Sequence, residues 1–469
     1  MQTNSEAKVK TRHKLGYGVG AIAYATPYTI MAGSFLFFVT TILQVSPIIA
    51  GVIVAISVFW DAVTDPWIGA VSDRAKSKRF GRRHQFLLIG GIGTALGSIC
   101  LWSISPDMSL TMKVLMLLAA VLFAKTMNTL YGTPYFALSG SLSNDNNERT
   151  AIQGYRASFH LVGMLFAIVG TQILIFRPSE AFPRGQLDPA NYPKVGMFIA
   201  VITIIFALVA YFSTPKDHQV NPSTTRKSLW SLIRESLENK SFRAIVLVIF
   251  LIEIVFQSII SLGTHVNTFT YHLNGPQMGI LGLSLLGMSI LSQPIWVYLC
   301  RRFELRNMLI LGFIVGLAGF VGMPWAHVGF EVFPIDADST LMTLAIFSGI
   351  AGIGNGAFMS IPFTMVAEAA DVGELDSHER QEGLYFGMYT FAYKAGIAVS
   401  VLLAGVLLKV IGFDASLPEQ TASTSYHLAI APTWFLIAIA PVIIWVLQSY
   451  TINHATHAKA LNDLKAQRA

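Results

Sequence analysis

Apolar residues along this chain come in long runs, not in the narrow stripes of a soluble amphipathic helix. A membrane helix needs about 20 mostly apolar residues. Runs of that kind lie near 15–43, 47–71, 85–105, 110–139, 150–176, 194–213, 243–269, 276–300, 307–327, 340–367, 381–410 and 427–449. The pattern predicts an all-α membrane protein with twelve transmembrane helices. The longest polar interruption, 214–242, divides the spans six and six. The expected organisation is a six-helix bundle over 1–213, a linker over 214–242, a second six-helix bundle over 243–450 and a tail over 451–469. Within the linker, Leu229, Leu232, Ile233 and Leu237 fall on roughly one helical face. That spacing predicts a short amphipathic helix from Ser228 to Phe242 lying at the membrane surface.

Charge supplies the orientation. Only 12% of the 469 residues are charged and 53% are hydrophobic, against about 25% charged in a soluble protein. Twelve spans put both termini on one side, and that side carries 24 of the 32 lysines and arginines, the other side five. The positive-inside rule then predicts cytoplasmic termini for a multi-pass protein of the plasma (bacterial inner) membrane. The net charge of +6 is thus a topology signal, and no nucleic-acid partner is expected. Cys100 and Cys300 form neither a disulfide framework nor a metal-ligand spacing. The polar, basic stretch Met1 to Lys14 lacks the pattern of a signal peptide, so the first helix is expected to remain in the mature protein.

Six charges stand out within predicted spans: Asp61, Asp65, Lys125, Arg156, Glu253 and Lys394. A charge at the centre of a membrane helix costs roughly 2.5–3.5 kcal/mol on insertion scales, so such residues are functional candidates. Asp61 and Asp65, four residues apart, share a helix face. Two neighbouring carboxylates repel unless a cation or proton lies between them. They are candidate ligands for Na⁺ or H⁺, the alternative being permanent neutralisation by Lys394 or Arg156. Lys394, followed by small residues, reads as a counter-ion or a substrate ligand. Arg156, nearer the cytoplasmic end, reads as a substrate ligand or a snorkelling side chain. Lys125 and Glu253 divide between a structural ion pair and a substrate role, and His160 and His265 read as packed polar residues.

Four stretches together resemble the glycoside–pentoside–hexuronide:cation symporter family, melibiose-permease-like members of the major facilitator superfamily. They are Leu15-Gly16-Tyr17-Gly18-Val19-Gly20; Trp60-Asp61-Ala62-Val63-Thr64-Asp65-Pro66 with Gly69; Tyr131-Gly132-Thr133-Pro134-Tyr135 with Glu148, Arg149 and Arg156; and Glu368, Asp371, Glu374, Arg380, Glu382-Gly383 with Lys394. The resemblance implies a major facilitator fold and a cation site at Asp61 and Asp65 with Thr64 and Thr129, a metal site if the ion is Na⁺. It implies a cytoplasmic gate of Arg149, Glu368, Asp371, Glu374 and Arg380. By position it also places Arg156 and Lys394 near the substrate. Where the sugar permease holds two acidic sugar ligands, this chain has Ala25 and Gly132. The chain is similar, too, to an animal lysolipid symporter branch, and Lys125 would suit an anion.

The expected function is therefore a cation-coupled (Na⁺ or H⁺) symporter for a sugar, glycoside or uronide working by alternating access. The alternative is a symporter of an anionic amphiphile such as a lysophospholipid. The candidate substrate residues are Tyr24, Tyr28, Lys125, Gly132, Phe136, Arg156, Phe159 and Lys394, with the aromatic rings packing against a sugar ring or an acyl chain. The sequence contains no Ser/His/Asp, metal or phosphate-cradling set, so an enzyme is not expected. No cofactor is expected beyond the coupling ion. The expected partners are a small-molecule substrate and the lipid bilayer, with the protein a monomer.

Overall fold

The structure is a computed structural model that describes residues 9–75, 80–81, 83–143, 146–216, 237–332, 337–377 and 382–468. The chain folds as two compact units, residues 1–223 with 273–279, and 224–272 with 280–469. Among the described residues, twelve helical segments are long and apolar enough to cross a membrane. The predicted linker helix at 228–242 lies mostly outside the described residues; Lys240 to Phe242 open the seventh span.

The first unit contains α1 (Thr11–Phe37), α2 (Pro47–Arg74), α3 (His84–Trp102), α4 (Leu110–Leu142), α5 (Asn146–Ile168) and α6 (Tyr192–Ser213). Here α1 packs on α5 and α6, α3 packs on α4 and α6, and α2 packs on α4. Close packing is made by small residues, since lipid offers no hydrophobic drive between helices. A Cβ at Gly90 of α3 would strike the Tyr131 backbone of α4. Two tyrosine hydroxyls tie α4 to α1: Tyr131 donates to the Gly20 carbonyl at 2.8 Å and Tyr135 to the Tyr17 carbonyl at 2.7 Å. The tyrosines of the Tyr131-to-Tyr135 motif are thus anchors, and they aim the residues between them.

The second unit contains α7 (Lys240–Phe269), α8 (Gly275–Leu291, its first turn grouped with the first unit), α9 (Gln293–Cys300), α10 (Leu305–Pro324), α11 (Ala337–Ser377), α12 (Glu382–Val410), α13 (Ala422–Leu447) and α14 (His454–Arg468). Helices α8 and α9 together make one span, Gly275–Cys300, interrupted just before Pro294. α10 packs on α11 and α7 on α12 and α13. A Cβ at Gly354 would strike the Gly316 backbone.

Two expectations change here. The tenth span does not end at 367: α11 continues to Ser377, so Glu368, Asp371 and Glu374 sit on helical turns and not in a loop. A helix propagates through polar residues once its apolar part is packed. The segment expected as a tail after 450 is helical. It forms α14, which packs on α11 and buries Ala460 and Leu464.

Candidate cation and solute site

The site in the first unit starts from the pairing of α2 and α4. Asp61 is the fifteenth of 28 residues in α2, and Lys125 the sixteenth of 33 in α4, so both lie near mid-helix. The Lys125 Nζ stands 3.1 Å from Asp61 Oδ2. One residue away, Trp60 Nε1 donates to Thr126 Oγ1 at 2.8 Å. Two turns on, a Cβ at Gly69 would lie 3.6 Å from Thr133 Cγ2. These contacts fix a parallel register, with 61 beside 125 and 69 beside 133. The same offset places Asp65 opposite Thr129.

Asp61 is 5% exposed, Thr64 6% and Thr129 8%. Asp61 Oδ2 has the lysine, but Oδ1 is buried with no hydrogen-bond partner. A buried acceptor left unmade costs about 1–3 kcal/mol. Thr64 donates its hydroxyl to the Trp60 carbonyl at 3.0 Å, which leaves its oxygen lone pairs for another donor or a cation. On α4, one turn from Lys125, Asn128 Oδ1 is also buried without a partner. Carboxylate, hydroxyl and amide oxygens are hard-cation ligands by type. The arrangement has the ligand types to hold a small cation at Asp61, with Asp65 one turn along the same helix.

Lys125 is thus in an ion pair, one of the two readings open for it, and Asp61 is its partner. Its partner lies 64 residues away. The spacing of Lys125, Thr129 and Gly132 along α4 was the available signal, since it places all three on one stripe. Asn128 carried no such signal.

The same stripe continues to an aromatic patch. Tyr24 of α1 meets Phe136 edge-on at 5.0 Å and stacks on Tyr28 at 6.1 Å. The His160 ring lies 6.4 Å from Tyr24. A Cβ at Gly132 would lie 2.8 Å from the Tyr24 ring, so glycine there makes room for the tyrosine. Arg156 of α5 lies over Phe136 at 5.4 Å. Its Nε donates to Gln153 Oε1 at 2.6 Å, and Gln153 in turn donates to Ser139 at 2.9 Å. Tyr24, Tyr28, Gly132, Phe136 and Arg156 are thus brought together, with a guanidinium above an aromatic floor.

Two further residues lie along the contact of α1 with α5, and Phe159 packs against the same core cluster as Tyr24 and Phe136. Phe159 packs where α5 crosses α1, 2.7 Å from the place a Gly18 Cβ would take. Ala25 is fully buried, its methyl 2.7 Å from the place a Gly163 Cβ would take. It lies in the α1–α5 seam, and Tyr24 is the neighbour that reaches Gly132.

In the second unit, Lys394 lies half-buried on α12. Two residues on, a Cβ at Gly396 would stand 2.7 Å from the Glu253 Cβ of α7. His265 is fully buried against Phe413 at 5.3 Å, a packed position as expected. Of the gate candidates, Glu368 accepts from the Tyr450 hydroxyl at 3.0 Å and Asp371 from His457 Nε2 at 3.0 Å. Burial, with Glu368 adjacent, pushes the Tyr450 hydroxyl well above its usual range, so it stays a donor. Glu374 lies on the last turns of the same helix. Arg149 is on α5, but its side chain, like all of Arg380, lies outside the described residues.

Relatives and neighbours agree on the class of protein. The glucuronide carrier protein homolog of Escherichia coli is 23% identical over 92% of this chain and 91% of its own. The sodium-dependent lysophosphatidylcholine symporter 1-A of Danio rerio is 23% identical over 92% of this chain and 82% of its own. The solved nucleoside transporter NupG superposes with a TM-score of 0.68 at 11% identity, over 92% of this chain and 99% of that one, which is a likeness of fold. The MFS/sugar transport protein family matches residues 16–454, and the chain is a multi-pass membrane protein of that family.

Proposed function

We propose that this chain is a cation-coupled symporter that moves a small organic solute by alternating access, with Na⁺ or H⁺ bound at Asp61 and Asp65 and assisted by Thr64 and Thr129. The observation that carries the reading is the Asp61 carboxylate. It is buried at mid-helix with one oxygen on Lys125 and the other without a partner. A coupling cation supplies that partner. Relatives named as symporters, the sodium-dependent lysophosphatidylcholine symporter 1-A among them, support the same reading.

The solute is proposed to be a sugar, glycoside or uronide held against Tyr24, Tyr28 and Phe136 with Arg156 as a polar ligand; Lys394, on α12, is proposed as a solute ligand from the family resemblance alone. The aromatic floor with a guanidinium above it equally suits an acyl chain with an anionic head, and so favours a lysophospholipid as the second reading. Arg149, Glu368, Asp371, Glu374 and Arg380 are proposed to open and close the cytoplasmic side, with both termini in the cytoplasm as the lysine and arginine bias requires.

The test is a melting screen of the purified protein against sugars, uronides and lysophospholipids, each with and without Na⁺ and at two pH values. A ligand at 100 times its Kd stabilises by about 2.7 kcal/mol. The reading expects at least one of these solutes to raise the melting temperature more in the presence of the cation. A screen in which cation and solute never reinforce one another counts against symport.

A further inference from the structure

We propose that Lys125 is a resident competitor for the coupling cation, and that its displacement from Asp61 creates the binding site for an anionic group on the solute. The proposal rests on the cation reading of Asp61 given above. Its ammonium holds one oxygen of the carboxylate that the cation needs, at 3.1 Å, as a tethered positive charge. The ammonium is the more accessible partner: the lysine side chain is 19% exposed and the aspartate 7%. The lysine, on its flexible four-carbon stem, is the partner that can swing away.

Where it goes follows from α4. Gly132 and Phe136 lie two and three turns from Lys125 on the same stripe, so the lysine and the Tyr24 ring are separated by roughly 10 Å along the helix at 1.5 Å per residue. A solute resting an apolar ring or chain on Tyr24 and Phe136 meets the lysine when its anionic group and the flexible lysine stem together cover that distance.

The exchange links two binding events. With Asp61 empty of cation, the carboxylate keeps the lysine, and an arriving anion finds no free ammonium. Once a cation takes Asp61, the lysine loses its partner, and an unpaired charge in a buried setting is costly. A carboxylate or phosphate on the solute then supplies the missing partner. Each ligand raises the affinity for the other, by the same factor in both directions. A neutral solute offers the ammonium nothing and gains nothing from the cation by this route. A permanent structural pair between Lys125 and Asp61 would give none of these linkages.

The experiment measures binding by calorimetry on the full-length protein, in sodium chloride and in choline chloride, and sodium-free at two pH values. The probes are methyl β-D-glucuronide, its neutral counterpart methyl β-D-glucoside, and a lysophosphatidic acid. The wild type is expected to bind an anionic probe at least tenfold more tightly with the cation present, and the glucoside without that gain. Whichever anionic probe responds identifies the source of the charge; if neither responds, the proposal is overturned. Asp61→Asn frees the lysine permanently and is expected to bind the responding anion without cation, at the affinity of the cation-loaded wild type. Lys125→Gln is expected to lose anion affinity at least tenfold. It should also bind the cation at least tenfold more tightly, read from the cation dependence of its melting temperature. Two results overturn the exchange: Asp61→Asn binding the anion no better than the cation-free wild type, or Lys125→Gln with unchanged cation affinity. If Lys125→Gln does not fold, the wild-type and Asp61→Asn arms decide alone. If Asp61→Asn keeps a full cation-dependent gain, the cation reading itself fails, a different result from failure of the exchange.

Discussion

At the scale of single residues, Gly132 shows how a small side chain selects its neighbour. The Tyr24 ring fills the volume that any side chain at 132 would take, 2.8 Å from a Cβ there. An acid at 132 and the tyrosine at 24 therefore exclude each other in this arrangement, and the aromatic floor replaces a carboxylate ligand. Gly132→Ala should push Tyr24 out of contact with Phe136. Overpacking of that kind costs about 1–3 kcal/mol, seen as a lower melting temperature together with weaker solute binding. Tyr24→Ala in the same chain should recover the stability but not the binding. If Gly132→Ala alone leaves both unchanged, the tyrosine does not depend on that space. The glycine and its motif were plain in the sequence, and so was the Asp61–Asp65 spacing. The direction of Ala25 was not, because one residue along a helix turns a side chain by about 100°. Only the packing of α1 on α5 shows that Ala25 enters the seam while Tyr24 reaches Gly132.

At the scale of elements, the register of α2 against α4 does what neither helix does alone. Charges in apolar runs are visible in a sequence, but which charge meets which depends on how the helices are docked. That is why Lys125 could be singled out while its pairing with Asp61 could not. The register also sets Thr129 opposite Asp65. Thr129→Val keeps the shape and removes a ligand oxygen, so cation affinity should fall about tenfold, the order of one hydrogen bond to a charged group. Cation dependence of the melting temperature measures it, and an unchanged affinity would remove Thr129 from the ligand set.

In each unit acidic side chains also grip that unit's end of the chain. In the first, Glu148 at the start of α5 holds Lys14 at 2.8 Å and the Val9 amide at 3.1 Å. In the second, His457 of α14 reaches Asp371 at 3.0 Å and lies 3.6 Å from Glu368, while the His454 amide donates to Glu304 at 3.1 Å. The polar run from 451 onward has no membrane signal, so only its docking on α11 gives it a place. His457→Ala should weaken that docking by about 1 kcal/mol, roughly a fivefold change in opening. Amide exchange in 454–468 should quicken by that factor while α10 is unaffected. Exchange at the wild-type rate would mean that apolar contacts such as Leu464 hold α14 without the histidine.

At the scale of the whole molecule, twelve spans, six to a unit, follow from hydropathy and the longest polar break. Spans of this kind are legible because the bilayer imposes length and apolarity on every one. The proposed function rests on the few positions that break that rule, chief among them a buried carboxylate with an open oxygen. The most direct test of the account is uphill transport in proteoliposomes. The solute found by the melting screen is supplied outside, and a Na⁺ gradient or a pH gradient is imposed in turn. Wild-type vesicles should concentrate the solute under at least one gradient and lose it when an ionophore collapses that gradient. Asp61→Asn vesicles should let the solute equilibrate without concentrating it. Accumulation by Asp61→Asn equal to that of the wild type would contradict the claim that the coupling cation binds at this carboxylate.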